Sequence, residues 1–204
     1  AAMSSRRRCA NISDDIPTNA VGSITIDPND PTGKTIYVGT GEANASGDSE
    51  AGVGLYRTTD DGAHWSPVPG AVAISNLRAI GGTAIEPGDP SHIAIATRAG
   101  VRGLGSNSTS TGTVAANSPA TGIWETHDGG ANWTTQNLVT LVPGWPGFNT
   151  TVGIASDHNV MYVGNENTTA GPHVARSADG GTTWADATGD LPQLPVNKVV
   201  VDPN

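Results

Sequence analysis

The stretch TTDDGAHW, residues 58–65, recurs twice further along the chain, as THDGGANW at 126–133 and as SADGGTTW at 177–184. The three copies share the pattern Ser/Thr-x-Asp-x-Gly-x-x-Trp. Short polar residues and glycine in this order are typical of a tight turn, and the tryptophan marks the beginning of the next strand. Self-similar segments spaced tens of residues apart indicate a repeat protein.

A second internal match brackets the three motifs. Residues 14–29, DDIPTNAVGSITIDPN, align without a gap on residues 189–204, GDLPQLPVNKVVVDPN. Between these flanks, each unit contains short apolar segments separated by turn residues, which predicts four antiparallel strands per unit. The predicted strands cover 22–27, 35–39, 54–58 and a segment from 65 in the first unit, 77–86, 92–97, 122–126 and a segment from 133 in the second, and 150–155, 160–164, 173–177 and a segment from 184 in the third.

Four short strands in each long repeat are typical of β-propeller blades. We therefore predict an all-β fold, a partial β-propeller of about three four-stranded antiparallel blades that forms an open arc of a larger ring. The end faces of such an arc are expected to expose apolar residues, such as Val199 and Val201 on the terminal strand. The predicted division is 1–20 for the end of a preceding blade, 21–76, 77–147 and 148–195 for three blades, and 196–204 for the first strand of the next.

The eight-residue motif has a structural explanation in these residue types. Its aspartate can accept backbone N–H bonds across the turn between the third and fourth strands, and its glycine permits positive φ. Its tryptophan supplies bulk to sheets that are otherwise rich in small residues. The predicted structural residues are Thr58, Asp60, Gly62 and Trp65, then Thr126, Asp128, Gly130 and Trp133, then Ser177, Asp179, Gly181 and Trp184.

The motif is that of the Asp-box, also called the bacterial neuraminidase repeat, so the chain resembles the Asp-box β-propellers. That group includes sialidases, xyloglucan-degrading hydrolases, the sortilin-type receptor propeller and a photosystem II assembly factor. The resemblance implies a propeller in which remaining blades complete the ring. It does not distinguish enzymes from binding proteins, since both carry the motif.

Composition and charge exclude several classes of function. The net charge of the 204-residue chain is −9 with ten basic residues, so no basic face is expected to bind nucleic acid. No apolar run approaches the ~20 residues of a membrane-spanning helix. The single cysteine, Cys9, excludes an internal disulfide, and the five histidines show no ligand spacing. We expect neither a metal nor a cofactor.

Charged residues concentrate in the loops that join the second and third strands of each unit. Because these loops occupy the same topological position in successive blades, we expect their side chains to converge on one rim near the propeller axis. They are either solvated loop residues or parts of a sugar-binding or hydrolytic rim. The candidate catalytic carboxylates are Glu42, Asp48, Glu50 and Glu166, and the candidate ligand-binding residues are Arg98, Arg102, Trp124 and Trp145.

Two functions remain open from the sequence. The first is a binding platform for a glycan or a protein on the loop-bearing rim. The alternative is a glycoside hydrolase, sialidase-like or xyloglucanase-like, which needs two carboxylates roughly 5–10 Å apart. The Arg-Ile-Pro motif of sialidases is absent. Six Asn-X-Ser/Thr sequons are compatible with an extracellular or cell-surface location.

Overall fold

The computed structural model describes residues 11–44, 49–100, 118–147, 149–154, 159–166 and 170–201, and places twelve strands among them. The first sheet contains β1 (Val21–Ile26), β2 (Ile36–Thr40), β3 (Leu55–Thr58) and β4 (Ser66–Pro67). The second contains β5 (Arg78–Glu86), β6 (Asp89–Ala99), β7 (Gly122–Thr126) and β8 (Thr134–Gln136). The third contains β9 (Asn149–Ile154), β10 (Met161–Asn165), β11 (Val174–Ser177) and β12 (Ala185–Asp186).

Each sheet is built from four consecutive antiparallel strands in chain order. This arrangement confirms the predicted all-β class and the four-stranded repeat. The strand limits differ from the predicted ones by a few residues, and the largest difference is in β6, which is longer at both ends than the predicted 92–97. Each strand pairs with the next strand along the chain, so the strand boundaries read from the sequence were enough to predict the pairing.

The sheets pack face to face through their first strands. Strand β5 contacts β1 on one side and β9 on the other. The hydroxyl of Thr25 donates to the carbonyl of Thr83 at 2.8 Å, which links the first sheet to the second. At the other interface, a Cβ on Gly82 would lie 2.6 Å from the Cα of Thr151, so glycine is needed there for the close approach of β5 and β9. The result is three blades side by side.

Two short helices were not predicted. Helix α1 (Ala71–Ser75) follows β4, and α2 (Leu138–Leu141) follows β8. Each helix buries one or two residues, among them Ala71 and Leu138, in the core beneath its sheet. With only five and four residues, neither helix is long enough to show a helical periodicity in the sequence.

The arc is open among the described residues, and its exposed apolar side chains are partly different from those predicted. Val199 and Val201 are half-buried rather than exposed, because they pack over Gly153 of β9. Val200 is 78% exposed instead. At the other end Ile24 on β1 is 63% exposed. Among the described residues, no helix has the length and apolar character to cross a membrane.

Candidate functional site

The three eight-residue motifs form the β3–β4, β7–β8 and β11–β12 hairpins with nearly the same hydrogen bonds. In the second motif, the Thr126 hydroxyl donates to Asp128 Oδ1 at 2.8 Å and accepts the Gly130 N–H at 2.9 Å. Asp128 also accepts the backbone N–H of Asn132 at 2.9 Å. In the third motif, the Ser177 hydroxyl makes the equivalent two bonds, both at 2.8 Å. These bonds satisfy N–H groups that the tight turn would otherwise bury without an acceptor.

The motif aspartates are held in their ionised form by these bonds. The backbone N–H and side chain of Asn132, together with the Thr126 hydroxyl, lower the pKa of Asp128 to about 2. The same kind of bond lowers the pKa of Asp60, where the His64 side chain is the main cause, and of Asp179, where the Thr183 side chain is. A carboxyl whose pKa is lowered in this way is a poor proton donor at neutral pH.

The motif tryptophans pack where the hairpins meet the core. Trp65 and Trp184 are almost completely buried. Trp133 is half-buried, and its indole N–H donates to the carbonyl of Pro69 in the preceding unit at 3.0 Å. This bond joins the second hairpin to the first blade.

The loops between the second and third strands of each sheet begin at the opposite end of the sheets from the motif hairpins. We call this end the loop rim, and its described charged residues are Glu42, Glu50, Arg78, Arg98 and Glu166. The first-sheet loop lies directly against the second sheet, because the Gly52 N–H donates to the Arg78 carbonyl at 2.8 Å. Asp48 and Arg102, also predicted for this rim, lie outside the described residues.

Two of the predicted residues form an ion pair between blades. Arg98, near the end of β6, pairs through Nη1 with Oε1 of Glu166, which follows β10 in the third sheet. Both side chains are only 10% exposed, and burial lowers the pKa of the Arg98 guanidinium below its usual value. A charge pair removed from water in this way is weakly screened by salt. It joins the second and third blades at the loop rim.

The carboxylates of the first loop are held at its base. The Glu42 N–H donates to the Glu50 carbonyl at 2.8 Å, and the Glu50 N–H reaches a carboxylate oxygen of Glu42 at 3.2 Å. The two residues therefore lie side by side, half-buried.

The structure separates the two tryptophans that were predicted to stack on a ligand. Trp145 is 3% exposed within the core between the second and third sheets, so it has no free ring face for a sugar, and its predicted role is wrong. Trp124, in β7, is half-buried, and its indole N–H donates to the carbonyl of Ala120 at 3.1 Å. Trp145 follows Pro143 and Gly144. These turn residues did not indicate whether the tryptophan side chain is buried or exposed.

A third group of side chains was not predicted. At the motif end of the second sheet, His92, Glu125 and His127 place their nitrogen and carboxylate atoms within 4.8 Å of one another. His92 and Glu125 are 1% and 2% exposed. Glu86, at the end of β5, accepts a hydrogen bond at His92 Nδ1. These residues come from three strands and a turn, so no single spacing in the sequence indicates the group.

Comparison with known proteins gives the class of the fold. No protein-family model matches the chain, and no curated protein does. Similar solved structures include the GH74 enzyme of Niastella koreensis, with a TM-score of 0.54 and 20% identity over 84% of this chain and 23% of that one. Others are YCF48 bound to a D1 peptide (TM-score 0.49, 16% identity, 83% and 41% coverage) and the GH74 xyloglucanase from Xanthomonas campestris (TM-score 0.41, 16% identity, 85% and 31% coverage).

These likenesses are at low identity and therefore concern the fold alone. The chain spans between 23% and 41% of the lengths of these three proteins. The three consecutive four-stranded antiparallel sheets, with the fold likeness to the Niastella koreensis enzyme, define the chain as part of a β-propeller.

Proposed function

We propose that the chain is a segment of an extracellular Asp-box β-propeller that binds a glycan or a protein on its loop rim. Its blades are residues 21–76, 77–147 and 148–195, and further blades of the same propeller cover its open faces. The observation that carries this proposal is the gathering of charged residues from three successive blades at one end of the sheets, where Arg98 and Glu166 join two of them.

The state of these residues favours binding over proton transfer. Glu166 pairs with a buried guanidinium, which favours its ionised form, whereas a general acid must carry a proton. The ion pair instead joins two blades at the loop rim. At the same end of the sheets, Glu42 and Glu50 offer carboxylate oxygens that can accept hydrogen bonds from sugar hydroxyls or from peptide N–H groups.

A hydrolase is the second candidate, because one specific observation favours it. Glu42 and Glu50 are joined by two hydrogen bonds at the base of a half-buried loop, so two carboxylates of the kind that a glycosidase needs belong to neighbouring residues. The fold likeness to a GH74 enzyme is compatible with this role. Release of reducing ends from xyloglucan, abolished by Glu50→Gln, would favour hydrolysis over binding alone.

The test is a glycan array and a peptide array screened with the chain, its Glu42→Gln/Glu50→Gln variant and a control. The control is Asp61→Asn, a matched carboxylate-to-amide change at the motif end of the first blade, where φ is +64° and asparagine is tolerated. We expect the double variant to lose at least about tenfold in affinity, since charged hydrogen bonds each contribute about 1.5–3 kcal/mol. Equal binding by all three proteins, or no binding on either array, would refute the proposal.

A further inference from the structure

We propose that the motif end of the second blade holds a zinc ion, with His92, Glu125 and His127 as its protein ligands. This site is at the opposite end of the sheets from the loop rim and does not depend on the function proposed there. It departs from the expectation, drawn from histidine spacing, that the chain holds no metal.

The donor atoms lie within reach of one ion. Oε2 of Glu125 lies 3.8 Å from Nε2 of His92 and 3.9 Å from Nε2 of His127. Donors that share one tetrahedral zinc at about 2.0–2.2 Å lie a little over 3 Å apart, so the carboxylate oxygen is near the required distance from both nitrogens, and the His127 ring has to rotate out of its stack on His92 to direct Nε2 at the ion. Two imidazoles and one carboxylate are a ligand set that zinc uses when the fourth position is left to water.

The burial of the group points to a missing ligand. Nε2 of His92 and Oε1 of Glu125 are buried without a hydrogen-bond partner among the described residues. Most buried side-chain polar atoms have a hydrogen-bond partner, so two such atoms in one group need an explanation. A cation held by Nε2 of His92 and Oε2 of Glu125 gives Nε2 a partner and neutralises the carboxylate to which Oε1 belongs.

The surroundings of His92 and Glu125 fit the outer shell of a metal site. Nδ1 of His92 is hydrogen-bonded to Glu86, and in the neutral tautomer that donates from Nδ1 the lone pair of Nε2 faces Glu125. A carboxylate on the far nitrogen of a histidine is the usual partner of a metal-bound imidazole. On the other side, a Cβ on Gly181 would lie 2.7 Å from Oε1 of Glu125, so the third-blade motif closes over the carboxylate.

His127 lies on the solvent-exposed side of the group. Its ring stacks on His92 with centroids 4.0 Å apart and planes inclined by 27°. Its side chain is 63% exposed, so it can tilt out of the stack and direct Nε2 inward without disturbing the core. Solvent reaches the site from this side, both for entry of the ion and for a water in the fourth position.

Comparison among the three blades shows that the group is particular to the second. Glu125 pairs in register just before the motif threonine, where the first blade has Arg57 and the third has Arg176. His127 occupies the motif position that holds Thr59 and Ala178 in the others. A fold requirement common to the blades would not demand a glutamate and a histidine here alone, so the two residues serve something specific to the second blade.

The experiment is calorimetric titration of the chain, stripped of metal with a chelator, with zinc chloride, followed by visible spectroscopy after substitution with Co²⁺. We expect one equivalent of zinc to bind and Co²⁺ to give the absorption of a tetrahedral site. His127→Ala, at an exposed position, should weaken zinc binding at least about tenfold while the protein stays folded by circular dichroism. Glu125→Gln, which keeps the side-chain shape, should do the same.

His64→Ala is the matched control, because His64 is an exposed histidine in the first-blade motif, 2.7 Å from Asp60. It should leave zinc affinity unchanged. The proposal is overturned if zinc does not bind the folded chain, if His127→Ala binds zinc as tightly as the parent, or if His64→Ala reduces affinity as much as His127→Ala. Binding of Co²⁺ with an octahedral spectrum would also overturn it.

Discussion

Replacing Thr126 by valine should destabilise the fold by about 1–3 kcal/mol, although the two side chains have nearly the same shape. The Thr126 hydroxyl is in a side chain 1% exposed, and it accepts the N–H of Gly130 at 2.9 Å and of Asp128 at 3.3 Å. Valine places a methyl group there and leaves a buried N–H without an acceptor, which costs about 1–3 kcal/mol. For a chain of this size, each kcal/mol shifts the melting temperature by about 2–4 °C.

The measurement is the melting temperature by calorimetry, with the urea midpoint as a second readout. Thr126→Ser is the matched variant, because Ser177 makes the same bonds in the third motif. It keeps the hydroxyl and loses one methyl group, so its cost should be about 1 kcal/mol or less. Thr135→Val on the exposed face of β8 should change the free energy of unfolding by less than about 0.5 kcal/mol.

The expected loss of stability comes from hydrogen bonding and not from packing. If Thr126→Val melted at the parent temperature, or if Thr126→Ser were as unstable as Thr126→Val, the hydroxyl would not be the group that stabilises the hairpin. The motif would then need another physical explanation.

Three further predictions concern other parts of the chain. Because the pKa of Asp128 is lowered to about 2 from 3.8, its contribution to stability is present above about pH 4 and is lost as the pH falls toward 2. The difference in urea midpoint between the parent and Asp128→Asn should therefore shrink over that range. A constant difference would contradict this prediction. Glu166→Ala leaves Arg98 buried without its carboxylate and should lower the free energy of unfolding by about 3–5 kcal/mol. The double variant Arg98→Leu/Glu166→Leu should recover most of this loss, measured by a thermal melt. Equal stability of the two variants would refute the role of the ion pair. Ile24 and Ile26 are 63% and 58% exposed on β1, so light scattering should show that the chain self-associates. The double variant Ile24→Thr/Ile26→Thr should reduce this self-association. A parent protein that stays monomeric at all concentrations would be inconsistent with an uncovered end face.

The loop rim was predictable in outline and not in detail. The sequence places Arg98 and Glu166 in equivalent loops of neighbouring units, which suggests one end of the sheets but not a contact. Their pairing depends on how closely the second and third blades pack, and that distance is set by residues such as Gly82 on β5. Trp145 shows the opposite error, because an aromatic residue in a loop-like sequence is in fact part of the core.

The sequence by itself determined the motif hairpins, because their hydrogen bonds join residues a few positions apart, and it determined the strands and the repeat through alternation and recurrence along the chain. A threonine or serine, an aspartate and a glycine at fixed spacing make the same hydrogen bonds in every motif, whatever lies around them. Only the tertiary structure brought His92 beside Glu125 and His127, since these residues are joined by antiparallel pairing of β6 with β7 and not by proximity in the chain. Alignment of the three units offered one signal, a glutamate at 125 where the other units have arginine, but the meaning of that difference appears only when the strands are paired.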